Sequence, residues 1–298
     1  MQHILGEEVF RTRISNYIKS HKYANAKQDD LWEALGNVTI LDEQIHISQI
    51  MNTWTLQRGY PIVTVSRFDP NGIELNNIKL KQELFVIDKS KEEKSNSSFE
   101  WWIPITYTTT NENLNNTRPQ MWLKPGVGPN KSTSLEKIDK DAALIVNIQP
   151  IGFYRVNYDG HNWKLLEQAL KKLNHSGIHQ NNREQILDDS FRLSEAGYLD
   201  YHTALNLTTY LKKETDYAPW STAIRVMGSL SGILTGDDNG LAYLTNYMIE
   251  QMMNIYQNLG FKSNKTERPS RKLLRKLIIN SMCKLGHDPC VEMGKLRI

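Results

Sequence analysis

The chain has 298 residues, enough for two or three domains that each bury a core. With 39% hydrophobic and 23% charged residues it has a globular balance, and a net charge of +3 makes no case for nucleic acid, since no basic stripe interleaves with aromatics. No apolar run approaches the roughly 18 residues of a membrane span, and the opening MQHILGEEVF lacks the pattern of a signal peptide.

Residues 1–36 read as helices, because Ile4, Leu5, Val9, Phe10, Ile14, Tyr17 and Ile18 recur at helical spacing. Gln28-Asp29-Asp30 opens a second helical piece that carries Leu31, Trp32 and Leu35. A further helix is expected over Ile45–Gln57, closed by Gly59. Strand signals then dominate from Pro61 to Tyr158. Candidates are Ile62–Arg67, Ile73–Ile87, Trp101–Thr109, Met121–Leu123 and Ala142–Tyr158, with turns at Asp69–Gly72 and Lys124–Gly126. Short strands with such turns suggest a sandwich. Lys89–Ser98 reads as a charged, solvated loop.

The stretch Ala143–Trp163 is where strands hand over to helices. Its apolar run suits a buried strand, Pro150 and Gly152 bend it, Asp159-Gly160 is a turn pair, and Asn162 is placed to cap a helix starting at Trp163. Helices are expected at Lys164–Leu173, at Arg183–Ala196 after an Asn182 cap, and after an Asp200 cap. Pro219-Trp220 opens Ser221–Leu234, and Pro269 opens Lys272–Cys283. Between them Leu241, Leu244, Met248, Met252, Ile255 and Leu259 form one stripe, read as core. The expected class is multidomain α+β: the helical tail of one domain, a β-sandwich, then an array of stacked helix pairs.

Four stretches resemble the aminopeptidase N family of gluzincin zinc aminopeptidases. In the junction, Asn147, Gly152, Phe153, Tyr154, Arg155, Val156, Asn157, Tyr158, Asp159, Asn162 and Trp163 stand in the register N-x-x-Q-x-G-[FY]-Y-R-V-N-Y-D-x-x-N-W. Asn25, Ala26, Asp30, Leu31 and Trp32 match the end of the family's catalytic domain. Met51, Trp54, Gln57, Gly59, Tyr60, Pro61 and Val65 match M-x-x-W-[TI]-x-Q-x-G-[YF]-P-[VL]-[VIL]-x-V. The segment REQILDDSFRLSEAG matches the fourth domain, with Ser194 where alanine is usual. The resemblance implies a division into 1–58, the last helices of a thermolysin-like catalytic domain; 59–146, the sandwich; and 147–298, the first part of a helical domain. It also implies a start internal to the parent and a fourth domain that continues further.

The chemistry of that family is not in these residues. A gluzincin site needs H-E-x-x-H, which sets two imidazoles on one face of a helix with a glutamate base between them. The nearest approach, His175-Ser-Gly-Ile-His179, lacks the glutamate and contains Gly177. His3, His21, His46, His161, His202 and His287 form no ligand spacing, and G-[AG]-M-E-N is absent. Glu7-Glu8 reads as favourable charge at a helix start. The resemblance places the tyrosine that polarises the scissile carbonyl upstream of Met1. No catalytic or metal-binding residue is therefore expected here, and this chain alone is expected neither to hold zinc nor to cleave peptides.

Seven N-x-[ST] sequons, at Asn37, Asn96, Asn115, Asn130, Asn174, Asn206 and Asn264, point to a secreted surface. Cys283 and Cys290 flank Gly286 and Pro289, a local loop able to close as a disulfide; two free thiols are the alternative. Paired cysteines also occur in this part of secreted members of the family. The first reading is thus the non-catalytic C-terminal portion of a zinc aminopeptidase, shaping a chamber for peptide substrates. It would lie on the extracellular face, anchored only through residues outside this chain, with a homodimer possible and no nucleic-acid partner. The alternatives are a zinc-free relative serving as a receptor or scaffold, and a free-standing adaptor. Exposed apolar faces at both ends make the isolated chain an expected associator.

Overall fold

Helices open the chain where apolar residues fall every three or four positions. In the computed structural model, which describes residues 1–40, 43–68, 71, 73–88, 99–112, 114–126, 138–172, 175 and 177–295, these are α1 (Gln2–Leu5), α2 (Glu7–Ser20) and α3 (Gln28–Leu35). The backbone N–H of Lys27 donates to Asp30 Oδ2 at 2.7 Å, which fixes the first turn of α3. Trp32 and Leu35 then pack with Ile47, Ile50 and Trp122 in one apolar cluster. The contacts divide the chain into two units, residues 1–165 and 166–298.

Two elements differ from the sequence reading before the main sheet. Gly36, at φ 61, stops α3, and Asn37–Ile40 (β1) pairs with Glu43–His46 (β2) as an antiparallel hairpin. Val38 and Ile40 point inward while Asn37 and Thr39 point out, the two-residue period of a strand. Helix α4 accordingly begins at Ile47, not Ile45, and ends at Thr55. Its N-cap is His46, whose Nδ1 accepts from Ser48 N at 3.3 Å. Gly59, at φ 76, belongs to the link into the sheet rather than to the helix end.

β3 (Pro61–Phe68) is the centre of a three-stranded sheet, antiparallel to β4 (Glu74–Leu84) and parallel to β9 (Arg155–Tyr158). Two further ladders pair β5 (Ile103–Ile105) with β7 (Met121–Leu123), and β6 (Tyr107–Thr109) with β8 (Leu144–Val146). The expected strand Trp101–Thr109 is split in two, and Ala142–Tyr158 is interrupted by the bend expected there, which starts at Asn147, ahead of Pro150. Thr106 makes the first break: its carbonyl accepts from Asn147 N and its hydroxyl from Ile148 N, both at 2.8 Å, so the backbone changes partners there. Asn147 and Gln149 make the second, with φ of 66 and 52. The Lys89–Ser98 loop and most of the Asp69–Gly72 turn lie outside the described residues.

Helix α5 spans Gly160–Lys171, earlier than expected, because Asp159 rather than Asn162 caps it: Asp159 Oδ1 accepts from Asn162 N at 2.8 Å. The second unit continues through α6 (Gln180–Glu195), α7 (Tyr201–Thr208), a 3-10 turn at Thr209–Lys213, α8 (Tyr217–Ile233), α9 (Asp238–Leu259), α10 (Pro269–Lys284) and α11 (Asp288–Lys295). α6 packs on α7 and α8; α10 packs on α8, α9 and α11. Asp200 caps α7 through His202 N, and Pro269 takes the first position of α10. His179, not Asn182, caps α6, its Nδ1 accepting from Asn181 N at 3.2 Å. The α9 stripe is buried from Leu244 to Leu259, while Leu241 is 36% exposed. A helical start, small sheets and a long helical run make this a multidomain α+β chain with a helical domain at its C-terminal end.

Candidate functional site

The junction sequence is spent on closing the first unit. Arg67, near the end of β3, is buried. Its Nη1 donates to Ala142 O at 2.7 Å and to Asn162 Oδ1 at 3.0 Å, and its Nη2 to Asp139 O at 2.7 Å. Burial lowers its pKa, opposed chiefly by the charge of Asp159, and an arginine stays cationic under such a shift. Asn162, fully buried, also accepts from Leu144 N at 2.9 Å and donates to Leu144 O at 3.0 Å. Asp159 Oδ2 accepts from Arg67 N at 2.6 Å, so one carboxylate caps α5 and pins the end of β3.

Neighbouring residues do similar work. Asn147 donates to Gly152 O and accepts from Gly152 N, both at 2.9 Å, folding the bend onto itself. A Cβ on Gly152 would stand 2.2 Å from the Tyr154 ring, which explains the glycine. Tyr154 OH donates to Pro104 O, Val146 N donates to Tyr158 OH, and Trp163 Nε1 donates to Asn157 Oδ1. In the second matching stretch, Trp54 Nε1 donates to Trp102 O, and Gln57 both donates to Glu100 O and accepts from Glu100 N. These side chains satisfy buried backbone groups at places where no ladder does. They hold the fold together.

The second unit holds a buried ionic cluster that no spacing argument found. Arg183 of α6 forks onto Glu214, Nε to Oε2 at 2.7 Å and Nη2 to Oε1 at 3.0 Å. Its Nη2 also reaches Asp216 Oδ2 at 2.7 Å and its Nη1 reaches Ile178 O at 2.5 Å. Glu214 Oε1 accepts from the backbone N–H of Thr215 and Asp216, and Trp220 Nε1 donates to the Glu214 carbonyl. Burial resists ionisation of Glu214, but the Arg183 hydrogen bonds and charge outweigh it and hold its carboxyl below the usual range. Burial holds the adjacent Tyr210 phenol well above its ordinary value. The one earlier signal was positional: Arg183 is the arginine that opens the fourth-domain resemblance.

The remaining candidates are engaged structurally or lie on the surface. His175 Nδ1 meets Leu170 O at 2.9 Å and its ring stands edge-on to Tyr210, while His179 is the α6 cap. Glu7 pairs with Arg11 on an exposed face of α2, beside exposed Glu8. Among the described residues, no group of three or more His, Cys, Asp or Glu could hold a metal ion. No helix among them is long and apolar enough to cross a membrane. Cys283, in the last turn of α10, is disulfide-bonded to Cys290 of α11, with α-carbons 5.0 Å apart. Asn37, Asn115 and Asn264 are exposed; Asn206 sits within α7, half-buried, with the hydroxyl of its Thr208 turned onto Tyr247. Asn96, Asn130 and Asn174 lie outside the described residues.

Comparison with known proteins places this architecture. A family model described as "Peptidase family M1 domain" matches residues 1–54, and one described as "ERAP1-like C-terminal domain" matches residues 143–297. Aminopeptidase N of Plutella xylostella is 36% identical over 99% of this chain and 30% of its own length. The human thyrotropin-releasing hormone-degrading ectoenzyme is 31% identical over the whole chain and 28% of its own length. Glutamyl aminopeptidase of Bos taurus is 31% identical over 98% of the chain and 29% of its own length. The chain belongs to the aminopeptidase N family of peptidases. It spans less than a third of the length of these relatives.

Proposed function

We propose that this chain supplies the non-catalytic C-terminal portion of a zinc-dependent aminopeptidase that removes N-terminal residues from peptides. Residues 1–58 would end the catalytic domain, 59–146 form the sandwich, and 147–298 begin the helical domain, the last two shaping the chamber through which peptides reach the zinc. The observation that carries this is the order of the two family matches on one chain, with the M1 match stopping at residue 54. The matching residues hold backbone rather than present reactive groups, as a supporting region requires. Zinc would be held by residues other than these 298, since the sequence has no H-E-x-x-H.

The test compares the protein expressed from its complete reading frame with this chain alone. The complete protein should bind one zinc and release aminoacyl reporters, and lose that activity to a chelator. The chain alone should do neither. A tight stoichiometric zinc on the chain alone, with chelator-sensitive activity, would overturn the proposal. A complete protein without zinc or activity would select a receptor or scaffold role instead.

The same reading places the protein on the extracellular face of a membrane or in secretion, which the names "ectoenzyme" and "membrane alanyl aminopeptidase" among its relatives support. The exposed sequons and the Cys283–Cys290 bridge fit that compartment. The bridge closes a loop with a sequence separation of 7. On the chain-entropy estimate it stabilises the α10–α11 corner by roughly 2–3 kcal/mol. Replacing Cys290 with serine should expose α11 to rapid hydrogen exchange while leaving α6 and α8 protected. Uniform loss of protection across the helical unit would contradict a local role.

A further inference from the structure

The charge of this chain is unevenly placed. Between Phe261 and Lys284, eight lysines and arginines face a single acid, Glu267, a net +7 against +3 for the whole chain, which leaves −4 for the rest. Glu267 is itself taken by Arg275 and Arg271. Lys262, Lys265, Arg268, Lys272 and Lys276 are exposed, and among the described residues none of them has a carboxylate partner. Arg268, the N-cap of α10, is followed by Lys272 and Lys276 at four-residue steps, about 6 Å apart along the axis. Lys272 and Lys276 point away from the buried face of Leu274, Ile278 and Met282. Lys272 Nζ also reaches back to Lys265 O at 3.5 Å, which joins the row to the α9–α10 turn.

Stability does not account for this arrangement. Arg268, Arg271 and Lys272 crowd the first turn of α10, which carries no acid, at the end of a helix where the dipole disfavours positive charge. The cations form a row rather than converging on a point, so a linear polyanion fits them better than a single phosphate. Nucleic acid is disfavoured, since no exposed aromatic side chain interleaves with them for base stacking. A membrane surface is disfavoured too, because Leu273 is the one exposed large apolar side chain among them.

We propose that the row from Lys262 to Lys276 is a docking surface for a sulfated polysaccharide of the extracellular matrix or cell coat. The choice of polysaccharide rests on the extracellular reading above; the row itself does not. The test uses the protein from its complete reading frame and measures its affinity for size-defined heparin by anisotropy, across a range of sodium chloride concentrations. The variant R268A/K272A/K276A should bind about tenfold or more weakly, with a shallower salt dependence, because fewer counterions are released. Its melting temperature should be unchanged or higher, which separates the loss from unfolding. A control with three exposed lysines of the first unit replaced, K19A/K22A/K27A, should bind heparin like the parent.

Equal affinity of R268A/K272A/K276A and the parent, or equal loss in the control, would overturn the proposal. So would tighter binding to phosphatidylserine vesicles than to heparin, which would make the surface a membrane contact. Peptidase activity is read separately, so failure of the peptidase assignment leaves this measurement interpretable.

Discussion

Replacing Glu214 with glutamine should cost the helical unit about 3–5 kcal/mol at neutral pH, the range for breaking one side of a buried ion pair. The glutamine keeps the shape and one acceptor but leaves the Arg183 guanidinium buried without its charge partner, with only the half-exposed Asp216 beside it. Arg183→Met should cost less, because it removes the trapped charge and leaves a carboxylate that can take up a proton. The pH dependence follows from the depressed Glu214 value. Its contribution is complete above the unfolded-state pKa, near the model-compound value of 4.5, and is lost as pH falls through the lower folded value. Arg183, shifted upward, stays charged throughout that window. The gap between parent and Glu214→Gln should therefore be full at pH 7 and shrink below about pH 4. Hydrogen exchange of peptides covering α6 and the Lys213–Trp220 segment measures this, and a gap independent of pH would contradict it.

Asn162→Ala should be the most damaging single truncation at the junction, at about 3 kcal/mol or more. It deletes three hydrogen bonds at once and strands a buried cation, a buried N–H and a buried carbonyl. Each stranded group costs roughly 1–3 kcal/mol, and the carbonyls of Ala142 and Asp139 relieve only part of the cation's share. Arg67→Met removes the cation, so combining the two substitutions should cost less than their sum by about 1–2 kcal/mol. Urea unfolding of the four proteins measures the coupling. Strict additivity would mean that Arg67 and Asn162 do not act as one network.

The parts legible in sequence were those where one residue decides a local outcome. Asp200 capped α7, Pro269 opened α10, and the Leu244–Leu259 stripe was buried, because caps and periodicity are read within a few residues. The bend after Val146 was legible from Pro150 and Gly152, but the break at Thr106 was hidden, because only pairing with residues some 40 positions away shows that the strand changes partner there. The β1–β2 hairpin was missed because its strands are only four residues each, too short for a period to show, and Ile45 was drawn into the following helix. Arg183, Glu214 and Arg67 look like surface charges in one dimension. Their burial is fixed by partners 31 to 95 residues away. The absence of a zinc motif, by contrast, is a statement about the sequence itself.

The parallel pairing of β3 with β9 has a consequence for synthesis on the ribosome. Ile62 meets Arg155, so one edge of the first large strand stays open until some 90 further residues have been made. At roughly 5–20 residues per second that is a wait of about 5–20 s. During it, the β3–β4 hairpin presents Val63 and Val65 along an unpaired parallel edge, a form that invites pairing with another nascent chain. The short strand Arg155–Tyr158 thus ends a period of exposure, and the Asp159 clamp locks it in place as α5 emerges. Slowing translation between Gly72 and Arg155 with rare codons should lengthen that period, so soluble yield would fall even though the finished protein is unchanged.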